Sequence, residues 1–399
     1  MKKGWLTKTL AEVCCIKPSK SEARDKVSAS SHVSFLPMED MGIDVKFVQA
    51  TQTKPLSAVV GSYTYFADGD VLLAKITPCF ENGKLGIADG LKNGIGFGSS
   101  EYLVFRPDPS VSKEWLYYFL SRETFRAEGA ARMSGAVGHK RVSKEFIEDY
   151  PIPFPTLDEQ KRIVAKLDKA FAGLTKAKEI AEKNLQNARA LFESHLETIF
   201  SQRGDGWVET TLGDAYDVRD GTHDSPKYQE TGFPLITSKN LKPNGLSFDN
   251  VKFISEKDYE KINERSAAHN GDVLFAMIGT IGNPTLVEVE PKFSIKNVAL
   301  FKNRNGQSRP FLKHYLASSM VISKMMKDAK GTTQKFVGLG YLRNFPINLP
   351  PHKMQHKIVE ELDNLSEETQ RLTRIYDQKL EALESLKKSI LHEAFSGNL

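Results

Sequence analysis

The feature that most constrains this chain is that it is written twice. Gly4-Trp5 followed by Thr9-Leu10 returns 202 residues later as Gly206-Trp207 followed by Thr211-Leu212. Gly69-Asp70-Val71-Leu72, with Ala74 and Ile76, returns at the same offset as Gly271-Asp272-Val273-Leu274, with Ala276 and Ile278. Further along the offset shortens to 195, as one loop deletion would cause. Gln160, Ile163-Val164 and Leu167-Asp168 then match Gln355, Ile358-Val359 and Leu362-Asp363, and Leu191, Ser194, Leu196 and Phe200-Ser201 match Leu386, Ser389, Leu391 and Phe395-Ser396. Ordered blocks at nearly one offset are not a chance pattern. The fold must be two versions of one plan in tandem.

Each half has the same internal order, about 150 mixed residues and then a long helix. The passage between them is marked by proline, in Tyr150-Pro151-Ile152-Pro153-Phe154-Pro155 and in Phe345-Pro346-Ile347-Asn348-Leu349-Pro350-Pro351. Proline disfavours helix in the residue before it, so these segments leave a globular unit. Thr156 or Asp158 can cap the helix that begins there. Residues 157–201 contain no proline and a single glycine, Gly173. Val164, Leu167, Phe171, Leu174, Ala181, Leu185, Ala188, Phe192 and Ile199 recur there at a spacing of three and four. The second stripe is Ile358, Leu362, Leu365, Leu372, Tyr376, Leu383, Leu386 and Ile390, with Phe395 closing it. Narrow apolar seams on charged helices indicate coiled-coil pairing, and two in one chain pair most simply with each other, antiparallel. Each helix would be about 65 Å long at ~1.5 Å per residue. The expected boundaries are a globular domain over 1–156, a helix over 157–203, a second globular domain over 204–351 and a second helix over 352–399.

The globular parts read as mixed α/β. Residues 66–76 and 273–278 alternate as strands do, 102–105 and 298–301 are short buried strands, and 115–120 and 311–316 are core helices. The fold class is therefore α/β (α+β), with two mixed domains separated by two long antiparallel coiled-coil helices and related by a pseudo-twofold repeat.

The 399 residues suit two or three domains. Lys and Arg exceed Asp and Glu by 5, and the pI is about 8.8, which permits an anionic partner without demanding one. No apolar run nears the ~18 residues of a membrane helix. No apolar core follows Met1-Lys2-Lys3, so no secretion signal is expected. Three cysteines, two of them adjacent (Cys14, Cys15), build neither a disulfide framework nor a four-ligand zinc site. A cytoplasmic protein is expected, without a bound metal.

No catalytic constellation emerges. The phosphate-binding Gly-x-x-x-x-Gly-Lys-Ser/Thr pattern is absent. Gly94-Ile95-Gly96-Phe97-Gly98 and Gly279-Thr280-Ile281-Gly282 read as turns, because neither opens a strand–helix dinucleotide fingerprint. Asn283-Pro284-Thr285 lacks the second proline and aromatic of N6-adenine methyltransferases, Glu81 and Lys84 lack an upstream acidic partner for a nuclease, and no nucleophile is singled out for His223 and Asp224. A binding protein is the better reading. Polar, glycine-flanked loops in both halves supply the groups that contact phosphates and base edges. The candidates are Lys75, Thr77, Asn82, Lys84, Ser99, Ser100, Lys140 and Arg141 in the first half. In the second they are Thr222, His223, Ser225, Lys227, Ser238, Lys239, Asn240, Thr332, Thr333, Gln334 and Lys335. Lys84 and Lys335 are candidates for backbone contact. Two related but locally divergent loop sets suit a reader of two different short sequences.

Four runs stand out together: the closing run Leu386-Lys387-Lys388-Ser389-Ile390-Leu391-His392-Glu393-Ala394-Phe395-Ser396-Gly397-Asn398-Leu399, the central run from Pro155 to Val164, Gly69 to Pro78 with Asn82-Gly83-Lys84, and Gly221-Thr222-His223-Asp224-Ser225-Pro226. In these runs, and along nearly its whole length, the chain resembles the specificity subunits of type I restriction–modification systems. The second central run departs from the pattern, with Met354 where an acidic residue usually precedes Gln355. The resemblance implies two target-recognition domains that each read half of a split site in double-stranded DNA. It also implies helices that fix their separation and dock two methyltransferase subunits, with restriction and translocase subunits joining, and S-adenosylmethionine and ATP bound only by those partners. Two alternatives stand beside it at this point, a coiled-coil scaffold carrying two protein-binding adaptor domains and an atypical DNA methyltransferase.

Overall fold

Both long helices form, over Leu157–Ser201 and His352–Ser396. They belong to a computed structural model that describes residues 4–136, 138–202, 204–242, 245–290 and 292–399. Met1 to Lys3, the start of the stretch in which no secretion signal is expected, lie outside the described residues. The chain divides by contact into residues 1–181 with 379–399, and residues 182–378. Both long helices are cut near their middles by this division. Each unit holds one globular part, the start of the helix after it and the end of the other helix.

In the first unit a five-stranded sheet runs in the order Cys14–Ile16, Tyr102–Pro107, Val71–Ala74, Leu85–Ala88 and Phe47–Val48. A four-stranded sheet holds Gln52–Pro55, His32–Leu36, Ile95–Gly98 and Thr64–Ala67. The run expected to be one strand over 66–76 is two, broken at Gly69, whose φ of +88° suits glycine. Residues 95–98, expected to turn, are a buried strand. A Cβ on Gly96 would lie 2.2 Å from the Phe66 ring, so its glycine serves close packing and not a bend.

The second unit repeats the plan with one strand fewer in each of its two main sheets and an added two-stranded sheet of Leu241–Lys242 with Gly245–Leu246. Its four-stranded sheet runs Asp217–Asp220, Val298–Lys302, Val273–Ala276 and Gly282–Leu286, and a three-stranded sheet holds Lys252–Ile254, Phe233–Ile236 and Ser294–Ile295. The two-stranded sheet beside each proline segment keeps one register, Leu6 opposite Phe154 and Thr9 opposite Pro151 in one unit, Val208 opposite Leu349 and Thr211 opposite Pro346 in the other. The core helices Lys113–Leu120 and Arg309–Ala317 start alike, with Ser112 and Ser308 accepting from the backbone N–H of Trp115 and Phe311.

Each core closes on the end of a long helix. Phe395 packs on Trp115, with ring centroids 4.3 Å apart, and Trp5 meets the same indole at 5.8 Å. In the second unit Phe200 packs on Phe311 at 5.4 Å. The start of the next long helix is pinned by a buried glutamine. Gln160 accepts from the Ser112 N–H and donates to the carbonyls of Ser110 and Pro155. Gln355 accepts from the Ser308 N–H and donates to the Pro350 carbonyl and the Gln307 side chain. Of the two expected caps it is Thr156 that accepts, from the Glu159 N–H, whereas the second helix begins on Pro351. Further along, Asp168 accepts from Tyr118 and pairs with Lys46, and Asp363 pairs with His314 at 2.8 Å.

The helix segments run antiparallel within each unit. Arg162 reaches the Leu399 carbonyl and Lys178 pairs with Glu384 in the first, and Arg189 pairs with Asp377 and His195 with Glu361 in the second. Val164, Leu167, Ala181, Ala188, Leu196, Ile358, Leu362, Leu391 and Phe395 are buried, while Phe171, Leu174, Leu185, Phe192, Leu365, Leu372, Leu383 and Ile390 are half-buried. Leu386 corrects the expected seam. It is 47% exposed, because the adjacent ridge carrying Ile390, Leu391 and Ala394 turns inward instead.

Candidate nucleic-acid interface

The two units present their polar loops on the same backbone frame. In the first, Ile76 and Ser134 both bridge to Arg141. The Thr77 N–H donates to the Lys140 carbonyl, Val142 donates to Lys75, and Ser134 and Arg141 exchange both backbone bonds. In the second, Ile278 and Lys330 both bridge to Phe336. The Gly279 N–H donates to the Lys335 carbonyl, Val337 donates to Met277, and Lys330 and Phe336 exchange both bonds. The strand registers complete the match. Ala74 opposite Tyr102 and Ala276 opposite Val298 put Glu101 and Asn297 at equivalent places. Lys75, Thr77, Glu101, Lys140 and Arg141 therefore stand where Met277, Gly279, Asn297, Lys335 and Phe336 stand.

The frame is shared, but its chemistry is not. Arg141 is exposed and forked onto Glu101, Nε to Oε2 at 2.9 Å and Nη2 to Oε1 at 2.7 Å, while Nη1 donates to the His139 carbonyl at 3.3 Å. That fork holds the Glu101 carboxyl below its usual range against the opposing pull of partial burial, with Lys75 and His139 adding to the effect. Lys75 is half-buried and donates to the Ser100 carbonyl at 3.0 Å. Its ammonium is pushed down first by burial, then up by Glu101, with Lys17 and Arg141 again lowering it. In the second unit Asn297 faces the ring of His223, Oδ1 to Nδ1 at 2.9 Å, and Asp220 meets the other ring nitrogen at 2.9 Å. The buried Asp220 also pairs with Arg265.

The remaining candidates divide by exposure. Asn82, Ser100, Lys140, Ser225, Lys227, Lys239, Thr332, Thr333, Gln334 and Lys335 are exposed. Ser225 accepts from Lys296, and Lys335 donates to the Met326 carbonyl. Thr77 donates to Glu81, Thr222 accepts from the Asp224 N–H, Ser99 accepts from the Glu101 N–H, and Ser238 is half-buried. Lys84 is half-buried, with its ammonium on the Met38 carbonyl at 2.6 Å. Asn240 is a correction. It is 5% exposed, its Oδ1 accepts from the N–H and hydroxyl of Thr237, and its amide donates to the Ser247 carbonyl. Its polar groups build the loop and are not presented at the surface.

Some basic groups escaped the sequence reading. Lys17, at a φ of +61°, and Arg24 are exposed, and Lys20 lies beside both, donating to the carbonyls of Val60 and Gly61. Lys17 also lies within electrostatic reach of Lys75. They belong to the strand end and short helix preceding the recognised motifs, and only the offset from Lys17 to Arg219 could have pointed to them. Among the described residues there is no group of three or more His, Cys, Asp or Glu side chains placed to hold a metal ion, and no helix long and apolar enough to cross a membrane.

The duplicated frame is matched by a duplicated family assignment. The family described as the type I restriction modification DNA specificity domain matches residues 2–184 and again residues 204–382. The chain belongs to this family. Two specificity-domain relatives from Escherichia coli are the type I restriction enzyme EcoAI and EcoEI specificity subunits, 34% and 36% identical over 197 residues. Each alignment covers 49% of this chain, and the chain spans only about a third of their length, 33% and 32%. The EcoKI specificity subunit of Escherichia coli K12 is 21% identical over 360 residues, covering 82% of this chain and 76% of its own. The HsdS subunit from Thermoanaerobacter tengcongensis shares the fold, with a TM-score of 0.69 at 19% identity over 100% of this chain and 98% of that one. A chain solved in work on the assembly and conformational transition of a type I R-M system has a TM-score of 0.79 at 20% identity, covering 100% and 99%.

Proposed function

We propose that this chain is a non-catalytic recognition subunit that binds a bipartite site in double-stranded DNA, each unit reading one half-site. The observation that carries the reading is the shared backbone frame with divergent side chains, Arg141 and Glu101 in one unit against Phe336 and Asn297 in the other. Equal frames hold two loops at equal places, and unequal side chains read unequal sequences. The exposed Lys140 and Lys335, each next to that divergent position, supply sequence-independent attraction to phosphates.

On this reading the chain directs two methyltransferase subunits to the site, and restriction and translocase subunits join the assembly. S-adenosylmethionine and ATP are bound by those partners and not by this chain, which holds no cofactor and no metal of its own. The complex works in the cytoplasm. The test is to co-express the chain with a cognate methyltransferase and map modified bases, then replace residues 1–150 with those of another family member. The modified motif is expected to change in one half-site only. Methyl transfer by the purified chain alone, or a swap that altered both half-sites or neither, would refute the reading.

A further inference from the structure

Arg141 carries a braced guanidinium. The Glu101 fork takes Nε–H and one N–H of Nη2, and the His139 carbonyl takes one of Nη1. A guanidinium has five N–H donors, so one remains on each of the two terminal nitrogens. Paired donors held in one plane match the O6 and N7 acceptors that guanine presents side by side in the major groove. The backbone is held as firmly, because Arg141 is bonded to Ser134 in both directions and flanked by the Thr77–Lys140 and Val142–Lys75 bonds.

Two further observations separate base reading from phosphate contact. An arginine used for phosphate gains from net positive charge, yet here a carboxylate cancels that charge while leaving the directional donors in place. The equivalent position in the second unit carries Phe336, 39% exposed, which offers a base edge no hydrogen bond at all. One site on one frame thus holds a hydrogen-bond fork in one unit and an apolar ring in the other.

We infer that Arg141, oriented by Glu101, recognises a guanine in the half-site read by the first unit. This rests on the DNA-recognition reading above and assigns one residue within it. The test uses the full chain with its methyltransferase partner and selection from a randomised duplex pool, for the wild type, Arg141→Lys, Arg141→Ala and Glu101→Gln. Loss of a bidentate pair costs roughly 5- to 150-fold in discrimination. Arg141→Lys and Arg141→Ala should therefore lose the guanine preference at one position by that factor. Lysine keeps the charge but not the fork. Glu101→Gln should weaken the same preference and no other. The second half-site serves as the internal control for folding. A uniform drop in affinity with the motif intact, or a wild-type half-site without guanine, would overturn the assignment. A wild-type complex that enriches no motif would instead overturn the DNA-recognition reading itself.

Discussion

The buried glutamines offer a measurement that separates the two units. In Gln160→Ala three backbone groups lose their partner at once, the Ser112 N–H at 2.9 Å, the Ser110 carbonyl at 3.1 Å and the Pro155 carbonyl at 3.0 Å. Ser110 is exposed and turns to water, but Ser112 and Pro155 are buried. Each orphaned buried group costs ~1–3 kcal/mol, so the variant should lose about 2–6 kcal/mol. A domain has only ~5–15 kcal/mol in all. Gln355→Ala should cost less, about 1–3 kcal/mol, because of its partners only the Pro350 carbonyl is buried, the Ser308 N–H being half-buried and within reach of water and the Gln307 amide free to rotate. Urea denaturation of the full chain, with amide exchange followed separately on peptides of each unit, should show protection lost around residues 110–116 and 157–163 in Gln160→Ala and left intact in the second unit. Gln160→Glu sharpens the test. Its carboxylate would face two carbonyls at pH 8, and protonation at lower pH would restore one donor, so its deficit relative to wild type should shrink as pH falls. A Gln160→Ala loss under about 1 kcal/mol, or one no larger than that of Gln355→Ala, would refute the claim that these side chains pin the helix starts.

Three other outcomes are expected from the geometry. Burial pushes the imidazole of His314 below its ordinary 6.5, the opposing pair with Asp363 notwithstanding. The unfolded chain then binds more protons, so the second unit should lose stability as pH falls below about 6.5, and His314→Gln should flatten that slope in urea midpoints measured between pH 8 and 5. Lys140→Ala and Lys335→Ala should each reduce the slope of log affinity against log salt by about one and leave the motif unchanged, read by binding titrations from 50 to 200 mM salt. Trp5 and Phe395 share the Trp115 ring, so a circular permutant opened near Gly204 with the old ends fused should fold and keep both half-site preferences. Insoluble protein at every linker length tried would count against that pairing.

Local and periodic features were legible in the sequence, and contacts made across long separations were not. The long helices were plain because proline is absent from them and apolar residues recur every three and four positions. The strand character of residues 66–76 and 102–105 was plain because these runs are short, apolar and duplicated, although the break at Gly69 was not. Leu386 was misread because a helix of 45 residues drifts against a strict seven-residue pattern, so either of two adjacent ridges can face inward late in the stripe. Gly96 was misread because the reason for a glycine there is the Phe66 ring, which lies on a neighbouring strand. Asn240 looked like a surface amide, and only the fold of its own loop onto Ser247 buries it. The Glu101 brace on Arg141 spans 40 residues, and no spacing rule could have joined them.

On the proposed DNA-recognition reading, the division between what the units share and what they vary bears on how such a chain can change its target. The groups that repeat with fidelity are the ones whose loss would be felt in the core: Gln160 and Gln355 at the helix starts, Ser112 and Ser308 at the caps. The buried Asp70 and Asp272 repeat likewise, each taking a backbone N–H three residues before it and a cation from the neighbouring strand. The bridges from Ile76 and Ile278 repeat because they are made by backbone, and backbone bonds do not depend on which side chain occupies the position. Arginine and phenylalanine can therefore exchange at the end of that bridge without disturbing the strand that holds it. A frame secured by main-chain bonds, with its variable side chains exposed, lets recognition diverge at little cost to folding.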